Sequence, residues 1–156
     1  VILRPEFVVA DEPVSMLDVS VRVGILNLML RLKKELSITY VFVSHDLAVQ
    51  RYICDRIAVM YLGKIVEIGP TEKVISRPLH RYTQTLLSSV PVPDPTYERK
   101  AIQVNEDYPP TAAQTPTGCR FHPRCSFVMD VCRVKVPMRL PVDGDHAVAC
   151  HMVHPP

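Results

Sequence analysis

Two adjacent carboxylates follow a short apolar run near the start of the chain, in residues 7 to 13. Four apolar residues lead directly into Asp11 and Glu12, and Pro13 comes next. Such a run predicts a strand buried on both faces, as in a parallel sheet, and the proline ends it because proline donates no ladder hydrogen bond. Open α/β sheets bind ligands at the carboxyl ends of their strands. Asp11 could therefore hold a hydrated Mg²⁺ and Glu12 could accept a proton from water; the alternative is an acidic surface turn.

A histidine follows a second apolar strand, and further polar residues lie in the loop between the two. Residues 38 to 43 are β-branched and aromatic and end at Ser44-His45-Asp46, while Ser15 and Asp18 lie in the earlier loop. Attack of water on a phosphate needs a metal, an oriented water and donors to the γ-phosphate. The carboxylate pair would serve the metal and the water, and His45 would contact the γ-phosphate.

The elements that must position these residues follow from hydrophobic spacing and from capping residues. Asp18 is a plausible N-cap for a helix over 19–36, and the strand–helix–strand order predicts a right-handed parallel crossover. Gly63 predicts the turn of a hairpin at a sheet edge. The remaining predicted elements are a helix over 47–54, strands over 56–61 and 64–68, and helices over 71–76 and 80–90. The fold class is therefore α/β.

Composition excludes several classes of protein. The 156 residues carry a formal charge of +2 without a basic cluster, so the charge favours neither nucleic acid nor an acidic membrane surface as a partner. No apolar run is long enough to span a bilayer, and the chain begins without the layout of a secretion signal. Because it starts at Val1 and runs almost at once into a core strand, we expect it to be the tail of a longer protein.

Four of the five cysteines crowd the last quarter of the chain, beyond a proline-rich stretch over 91–117 that reads as a linker. They are separated by five, six and seventeen residues, a spacing without the two-residue gap of zinc ribbons. With no export signal, four thiols favour Zn²⁺ or an iron–sulfur cluster over disulfides, which remain the alternative. Cys54 stands apart and is predicted to be a small buried hydrophobe. The four clustered cysteines are Cys119, Cys125, Cys132 and Cys150, and substitute zinc ligands would be His122, His146, His151 and His154.

The motifs of the first half resemble those of ATP-binding cassette (ABC) ATPases. Asp11-Glu12-Pro13, Ser15-x-Leu17-Asp18 and Val43-Ser44-His45-Asp46-Leu47 occur in that family's order and at its roughly thirty-residue spacing, and residues 55–69 resemble the segment that follows. The resemblance implies that Asp11 is the Walker B acid, Glu12 the catalytic glutamate and His45 the switch histidine. It places Ser15 and Asp18 in the D-loop.

The second half is similar to the C-terminal extension of di- and oligopeptide importer ATPases. The similar stretches are residues 78–87 with Val90-Pro91, and Gly118 to Cys125 with the two later cysteines. Some members of that subfamily bind a [4Fe-4S] cluster through four cysteines, so the resemblance favours the cluster over Zn²⁺. Two departures are Val14, where a small hydroxyl residue is usual, and Arg81, which replaces a common proline and should barely matter.

The resemblance implies the C-terminal half of a RecA-like P-loop ABC ATPase core, a parallel sheet with flanking helices, plus a small cysteine-rich C-terminal extension. The implied domains are part of the nucleotide-binding domain over 1–76, a helix and proline-rich linker over 77–117, and the cysteine-rich module over 118–156. The implied cofactors are ATP and Mg²⁺. Implied partners are a second ATPase subunit in a homo- or heterodimer, transmembrane permease subunits and, indirectly, a peptide-binding protein, with the chain peripheral on the cytoplasmic face of the inner membrane.

Neither a G-x-x-x-x-G-K-[ST] phosphate loop nor an ABC signature motif occurs in the chain, and both would lie upstream of Val1. Without that loop no backbone amides and no lysine cradle the phosphates, so we expect the chain alone to be inactive. Two rivals remain at this point. One is a metal-binding regulatory or docking module without catalysis, and the other is a poorly folded gene remnant.

Overall fold

The computed structural model describes residues 5–90 and 115–155, so most of the predicted linker lies outside the described residues. The chain divides into two compact units, with the boundary between Cys54 and Asp55. Helices and strands occur together in it, and the α/β class is confirmed.

The first unit is a parallel strand pair with two helices. Its elements are β1 (Phe7–Asp11), α1 (Val19–Leu36), β2 (Thr39–Val43) and α2 (Leu47–Ile53). The two strands pair in parallel from Phe7 opposite Thr39 to Asp11 opposite Val43, as the strand–helix–strand pattern predicts. This register places the carboxyl ends of both strands side by side, where the predicted polar residues follow.

Helix α1 begins where the sequence predicts because Asp18 caps it. One carboxylate oxygen, Oδ1, accepts hydrogen bonds from the backbone N–H of Ser20 at 3.1 Å, the hydroxyl of Ser20 at 2.6 Å and the N–H of Val21 at 3.0 Å. The hydroxyl of Ser20 and these amides stabilise the charged form and lower the pKa of Asp18. At the other end Ser37 takes a left-handed conformation with φ of 54°, which ends the helix.

The helices of the first unit cover only one face of the strand pair. Val14, Leu26, Val49 and Ile53 form the buried cluster. Cys54 packs against it as predicted, but it is only partly buried. Phe7 and Val9, by contrast, are exposed. The prediction of a strand buried on both faces is therefore wrong for this chain, because no described element of the unit covers the second face of β1.

The second unit is built on a four-stranded antiparallel sheet in the order β3-β4-β6-β5. The predicted hairpin is present, with Gly63 at φ of 76° in its turn. The strands are β3 (Arg56–Tyr61), β4 (Lys64–Pro70), β5 (Leu140–Asp143) and β6 (His146–Val148), and the helices are α3 (Thr71–Ser76), α4 (Arg81–Ser89) and α5 (Asp130–Val134).

The sequence did not predict β5 and β6, which come from the cysteine-rich tail. Strand β6 pairs antiparallel with β4, and β5 forms the outer edge of the sheet beyond β6. Both strands are short, and Pro141 lies within β5, which weakens the strand pattern. The usable signal was the Gly144-Asp145 pair, with Gly144 at φ of 59°, because glycine at the first position of a two-residue loop is typical of tight hairpin turns.

No helix within residues 5–90 and 115–155 has the length and apolarity that crossing a membrane requires.

Candidate functional site

The predicted catalytic residues sit where β1 and β2 end. The backbone N–H of Glu12 donates to the carbonyl of Val43 at 2.9 Å, so the pairing of the strands continues one residue past Asp11. Glu12 then takes φ of 46°, a left-handed conformation that non-glycine residues seldom adopt. The chain thus turns sharply at Glu12, a kind of strain that clusters at functional sites.

The side chain of Glu12 bonds to the predicted switch histidine. Its Oε1 accepts the backbone N–H of His45 at 3.1 Å and lies 2.7 Å from Nδ1 of the same residue. Because an ionised carboxylate can only accept, Nδ1 carries the proton in this contact. The ring of His45 is largely exposed, and Glu12 is partly so. The pair can therefore meet a ligand from solvent.

Ser15 joins this cluster, whereas Asp18 points elsewhere. The hydroxyl of Ser15 donates to the carbonyl of Glu12 at 3.0 Å, and its backbone N–H donates to the same oxygen at 3.3 Å. Asp11 lies at the exposed end of β1, next to Glu12. The carboxylate of Asp18 bonds to the first amides of α1. The structure thus brings Glu12, His45 and Ser15 together and uses Asp18 as a cap.

An arginine that the sequence did not single out, Arg22, contacts the loop that follows β2. The guanidinium of Arg22 donates to the carbonyl of Leu17 at 3.2 Å and lies 3.4 Å from Oδ2 of Asp46. The other carboxylate oxygen of Asp46 caps α2 through the N–H groups of Ala48 and Val49. Arg22 therefore fixes the loop that follows β1 against the loop that follows β2. The signal was weak, since Arg22 reads as one charge on a helix surface.

The four tail cysteines share one cavity in the second unit. Cys119, Cys125, Cys132 and Cys150 all line it, together with His122, His151 and Arg81 among others. None of the five cysteines, all of which lie among the described residues, forms a disulfide. Within the described residues no three His, Cys, Asp or Glu side chains are placed as a group that could hold a metal ion. The predicted clustering of the four cysteines is therefore present, because they line one cavity. Their side chains are not arranged as a set of metal ligands.

Burial makes two of these thiols, those of Cys119 and Cys125, hard to ionise. It raises the pKa of Cys119 to about 11, and the neighbouring Cys132, Cys150 and Cys125 raise it further, against a backbone hydrogen bond from Phe121 that lowers it. The pKa of Cys125 is raised in the same way, first by burial. Both thiols are thus protonated at neutral pH unless a cation compensates for their charge.

Tight backbone packing brings the cysteines to the cavity. The N–H of Cys119 donates to the carbonyl of Cys132 at 2.8 Å. Gly118 precedes it at φ of 65°, and a Cβ at that position would lie 2.3 Å from the carbonyl oxygen of Cys132. Only glycine fits there, which explains the glycine before the first cysteine.

Arg81 contributes more than the sequence suggested. Its guanidinium lies 3.6 Å from the ring centroid of Phe127 and donates to the side-chain oxygen of Gln84 at 2.7 Å. It also lines the cysteine cavity and lowers the pKa of Cys125 in opposition to burial. These contacts give Arg81 a structural role that the expectation of a barely relevant replacement did not include.

The four histidines of the tail each contact a protein group. Nδ1 of His122 lies 3.0 Å from the carbonyl oxygen of Cys119, and Nε2 of His151 lies 2.9 Å from that of Lys135. Nε2 of His154 lies 3.2 Å from the carbonyl oxygen of Leu140. His146 reaches a carboxylate instead, that of Glu67. Their side chains therefore have roles in the fold. A contact from one ring nitrogen to a carbonyl is also usual for metal-binding histidines, so these contacts do not count against His122 and His151, which line the cysteine cavity.

Glu67 is the residue that sequence reasoning missed most clearly. It lies in β4 at 0% exposure, and its Oε1 accepts the N–H of Leu79 at 2.9 Å and contacts Nε2 of His146 at 2.8 Å. Its Oε2 accepts the N–H of His80 at 2.9 Å. Gly69 makes room for this arrangement, since a Cβ there would lie 3.0 Å from the His146 ring.

The start of α4 is buried around a neutral histidine. Burial lowers the pKa of His80 to about 4, although the charge of Glu67 acts in the opposite direction. A neutral ring agrees with the geometry, because Nδ1 of His80 accepts the N–H of Tyr82 at 3.1 Å and so caps the helix. The ring also packs against Phe121 of the tail at a centroid distance of 5.8 Å.

Comparison with known proteins gives consistent matches. Residues 66–132 match the family model described as the oligopeptide/dipeptide transporter, C-terminal region. The chain is 46% identical to a probable peptide ABC transporter ATP-binding protein of Sinorhizobium fredii, over 98% of this chain and 43% of the relative. It is 47% identical to a putative peptide import ATP-binding protein of Brucella ovis, over 95% of this chain and 46% of the relative.

A third relative is the oligopeptide transport ATP-binding protein AppF of Bacillus subtilis, at 45% identity over 96% of this chain and 46% of the relative. The chain thus spans less than half the length of these curated relatives. Nearly all of it aligns with proteins whose names describe ATP-binding proteins of peptide transport, and residues 66–132 match the family model. Nearly the whole chain is therefore similar to peptide ABC transporter ATP-binding proteins, and it contains a match to the C-terminal region of oligopeptide/dipeptide transporters.

Proposed function

We propose that this chain is part of the ATP-hydrolysing subunit of an ABC importer of di- or oligopeptides. The observation that carries the proposal is the hydrogen-bonded pair of Glu12 and His45 at the paired ends of β1 and β2. The names of the relatives, all ATP-binding proteins for peptide transport, support it. Its first 76 residues would belong to a RecA-like nucleotide-binding domain and residues 118–156 to a cysteine-rich module.

Each residue of the strand-end cluster would have one task. Glu12 would polarise the attacking water, since its carboxylate lies at a strand end and is partly exposed. His45 would contact the γ-phosphate through its exposed ring. Asp11 would hold Mg²⁺ through water, and its carboxylate oxygens are the donors that this ion prefers. When bound, Mg²⁺ neutralises the phosphate charge that develops during transfer. Ser15 and Asp18 would lie in the loop that contacts the partner subunit.

In the intact importer two such subunits would close on two ATP molecules as a homo- or heterodimer. Closure would drive transmembrane permease subunits, to which a separate binding protein delivers the peptide. The subunit would be peripheral, on the cytoplasmic face of the inner membrane. The small formal charge of +2 gives no support for a nucleic acid partner.

The test compares the full-length subunit with this 156-residue chain in an assay of phosphate release from ATP. We expect turnover by the full-length subunit and none above background by the chain alone, because the chain contains no G-x-x-x-x-G-K-[ST] loop to cradle the phosphates. Turnover by the chain alone that disappears in its Glu12→Gln variant would contradict the assignment of phosphate binding to that loop. An inactive full-length subunit that also fails to bind ATP would contradict the proposed function.

For the tail we propose that the four cysteines hold a [4Fe-4S] cluster, with Zn²⁺ as the second candidate. The donor chemistry supports this, because four thiols line one cavity without a disulfide. Their placement does not form a ligand group, so the thiols would have to rotate toward one another on binding. Because burial raises the pKa values of Cys119 and Cys125, binding of the metal would have to displace the protons of these thiols.

If the cysteines hold a [4Fe-4S] cluster, protein purified without oxygen should be brown. It should absorb at roughly 400 nm and contain about four iron atoms per chain. Cys125→Ser should remove most of this iron, whereas Cys54→Ser should keep it, because Cys54 packs in the apolar cluster of the other unit. Colourless protein that contains one zinc ion per chain would show that the cysteines hold Zn²⁺ and not the cluster. Protein that takes up neither metal after reconstitution would overturn the proposal of a metal site.

A further inference from the structure

One exposed segment of the tail combines apolar and basic side chains, and the site already described makes no use of it. Residues 133 to 142 alternate strictly: even positions are apolar, and odd positions are Arg, Lys or Pro. The exposed fractions of the first three apolar residues are 79% for Val134, 60% for Val136 and 72% for Met138. Exposed apolar side chains in a row commonly mark an interaction site. We call this stretch the 133–142 segment.

The charges of the segment have one sign. Arg133, Lys135 and Arg139 are all exposed, and no carboxylate lies between Asp130 and Asp143. The whole chain has a formal charge of only +2, so the residues outside the segment carry both signs in nearly equal number. An anionic surface is therefore the complementary partner for this part of the molecule.

The backbone of the segment is held in place. The N–H of Lys135 donates to the carbonyl of Val131 at 2.9 Å, and Nε2 of His151 lies 2.9 Å from the carbonyl oxygen of Lys135. Further along, Leu140 begins β5 and pairs with Val148 of β6. The side chains are thus presented from a fixed support, and little ordering is required on binding.

Two prolines decide between two kinds of anionic partner. Strand β5 forms the edge of the sheet, which could in principle pair with an extended segment of another protein. Pro137 and Pro141, however, remove two backbone donors from the segment and so weaken such pairing. A lipid surface needs no backbone hydrogen bonds. It accepts apolar side chains at the acyl boundary and attracts basic residues through its anionic headgroups.

We propose that the 133–142 segment binds the surface of an anionic lipid bilayer directly. Val134, Val136 and Met138 enter the headgroup boundary, and Arg133, Lys135 and Arg139 bind the lipid phosphates. This contact goes beyond the proposed function, because it needs neither ATP nor permease subunits.

The test is co-sedimentation of the 156-residue chain with vesicles of phosphatidylcholine alone or with one-third phosphatidylglycerol. We expect binding to the anionic vesicles, little to the neutral ones, and weakening as salt shortens the range of the attraction. Changing Arg133, Lys135 and Arg139 together to glutamine should weaken binding roughly a hundredfold, since each basic residue at an anionic surface contributes about fivefold. The matched control changes Arg31, Lys33 and Lys34 of α1 to glutamine, the same loss of charge, and should bind as the parent does.

The apolar side chains have a separate test. The triple change Val134→Ser, Val136→Ser and Met138→Ser should weaken binding at least tenfold while the thermal melt is retained, because these side chains are mostly exposed. Met16→Ser, at an exposed methionine of the other unit, is the control and should have no effect. Equal binding to both kinds of vesicle, no binding to either, or no response to the first triple change would overturn the proposal. Capture of an acidic peptide without vesicle binding would overturn it in favour of a protein partner.

Discussion

Replacing Glu67 by alanine should lower the free energy of unfolding of the second unit by about 3–5 kcal/mol, because it removes the acceptor of a fully buried hydrogen-bonded pair. Three donors converge on this carboxylate: the N–H groups of Leu79 and His80 and Nε2 of His146. In the variant these donors lose their partner while buried, and each such loss costs about 1–3 kcal/mol. The carboxylate joins β4 to the start of α4 and to β6, so its removal affects all three elements.

Glu67→Gln should lower the free energy of unfolding by less, about 1–3 kcal/mol. Because glutamine has nearly the same shape as glutamate, this variant measures the contribution of the charge. Glutamine keeps one acceptor oxygen, but its amide nitrogen would face either the N–H of His80 or the two donors at Oε1. The matched control is Lys73→Ala, which breaks the exposed pair of Lys73 and Asp143 at 3.1 Å in the same unit. Exposed pairs contribute about 0–1 kcal/mol, so this control should change stability little.

Native-state hydrogen exchange measures this effect without contributions from the first unit. The N–H of Ala149, which donates to the carbonyl of Val66 at 2.8 Å, reports on the pairing of β4 and β6. We expect it to exchange at least a hundredfold faster in Glu67→Ala and at nearly the parent rate in Lys73→Ala. Unchanged protection in Glu67→Ala would show that the buried carboxylate does not hold β6 to the sheet.

Local patterns predicted the first unit well because its elements are specified by nearby residues. The bounds of α1 follow from Asp18 and from apolar spacing within the helix, and both are confirmed. The parallel pairing of β1 and β2 follows from the intervening helix, and the cluster of Glu12, His45 and Ser15 follows from the pairing. What failed was the burial of β1, since burial depends on packing partners rather than on the strand itself.

The second unit was harder because its decisive contacts join residues far apart in sequence. Glu67 looks like an ordinary polar position in the run Ile65-Val66-Glu67-Ile68, and the sequence does not indicate that residues 79, 80 and 146 bury it. Strands β5 and β6 have only four and three residues, too few for a hydrophobic period to be visible. The clustering of the cysteines was predictable from spacing, whereas the contact of Arg81 with Phe127 was not.

In the full-length subunit, Glu12→Gln should reduce ATP turnover by about 10²–10⁴-fold while ATP binding is retained. The range is the usual contribution of a general base, which glutamine cannot replace because its amide does not accept the proton of the attacking water. The fold should tolerate the change, since the amide oxygen can accept the N–H of His45 as Oε1 of Glu12 does. The left-handed φ of 46° at this position is no more strained for glutamine than for glutamate.

Glu6→Gln is the matched control, because it makes the same chemical change at an exposed glutamate just before β1. Its turnover should equal that of the parent. Phosphate release measures turnover, and binding of a fluorescent ATP analogue measures affinity. A variant that binds ATP but does not hydrolyse it should accumulate in the nucleotide-bound dimer, which gel filtration with ATP detects. Turnover within threefold of the parent in Glu12→Gln would exclude Glu12 as the base. Loss of ATP binding in Glu12→Gln would instead indicate that this carboxylate helps to hold the nucleotide. A residue that acts only as the base can be replaced without loss of ATP affinity.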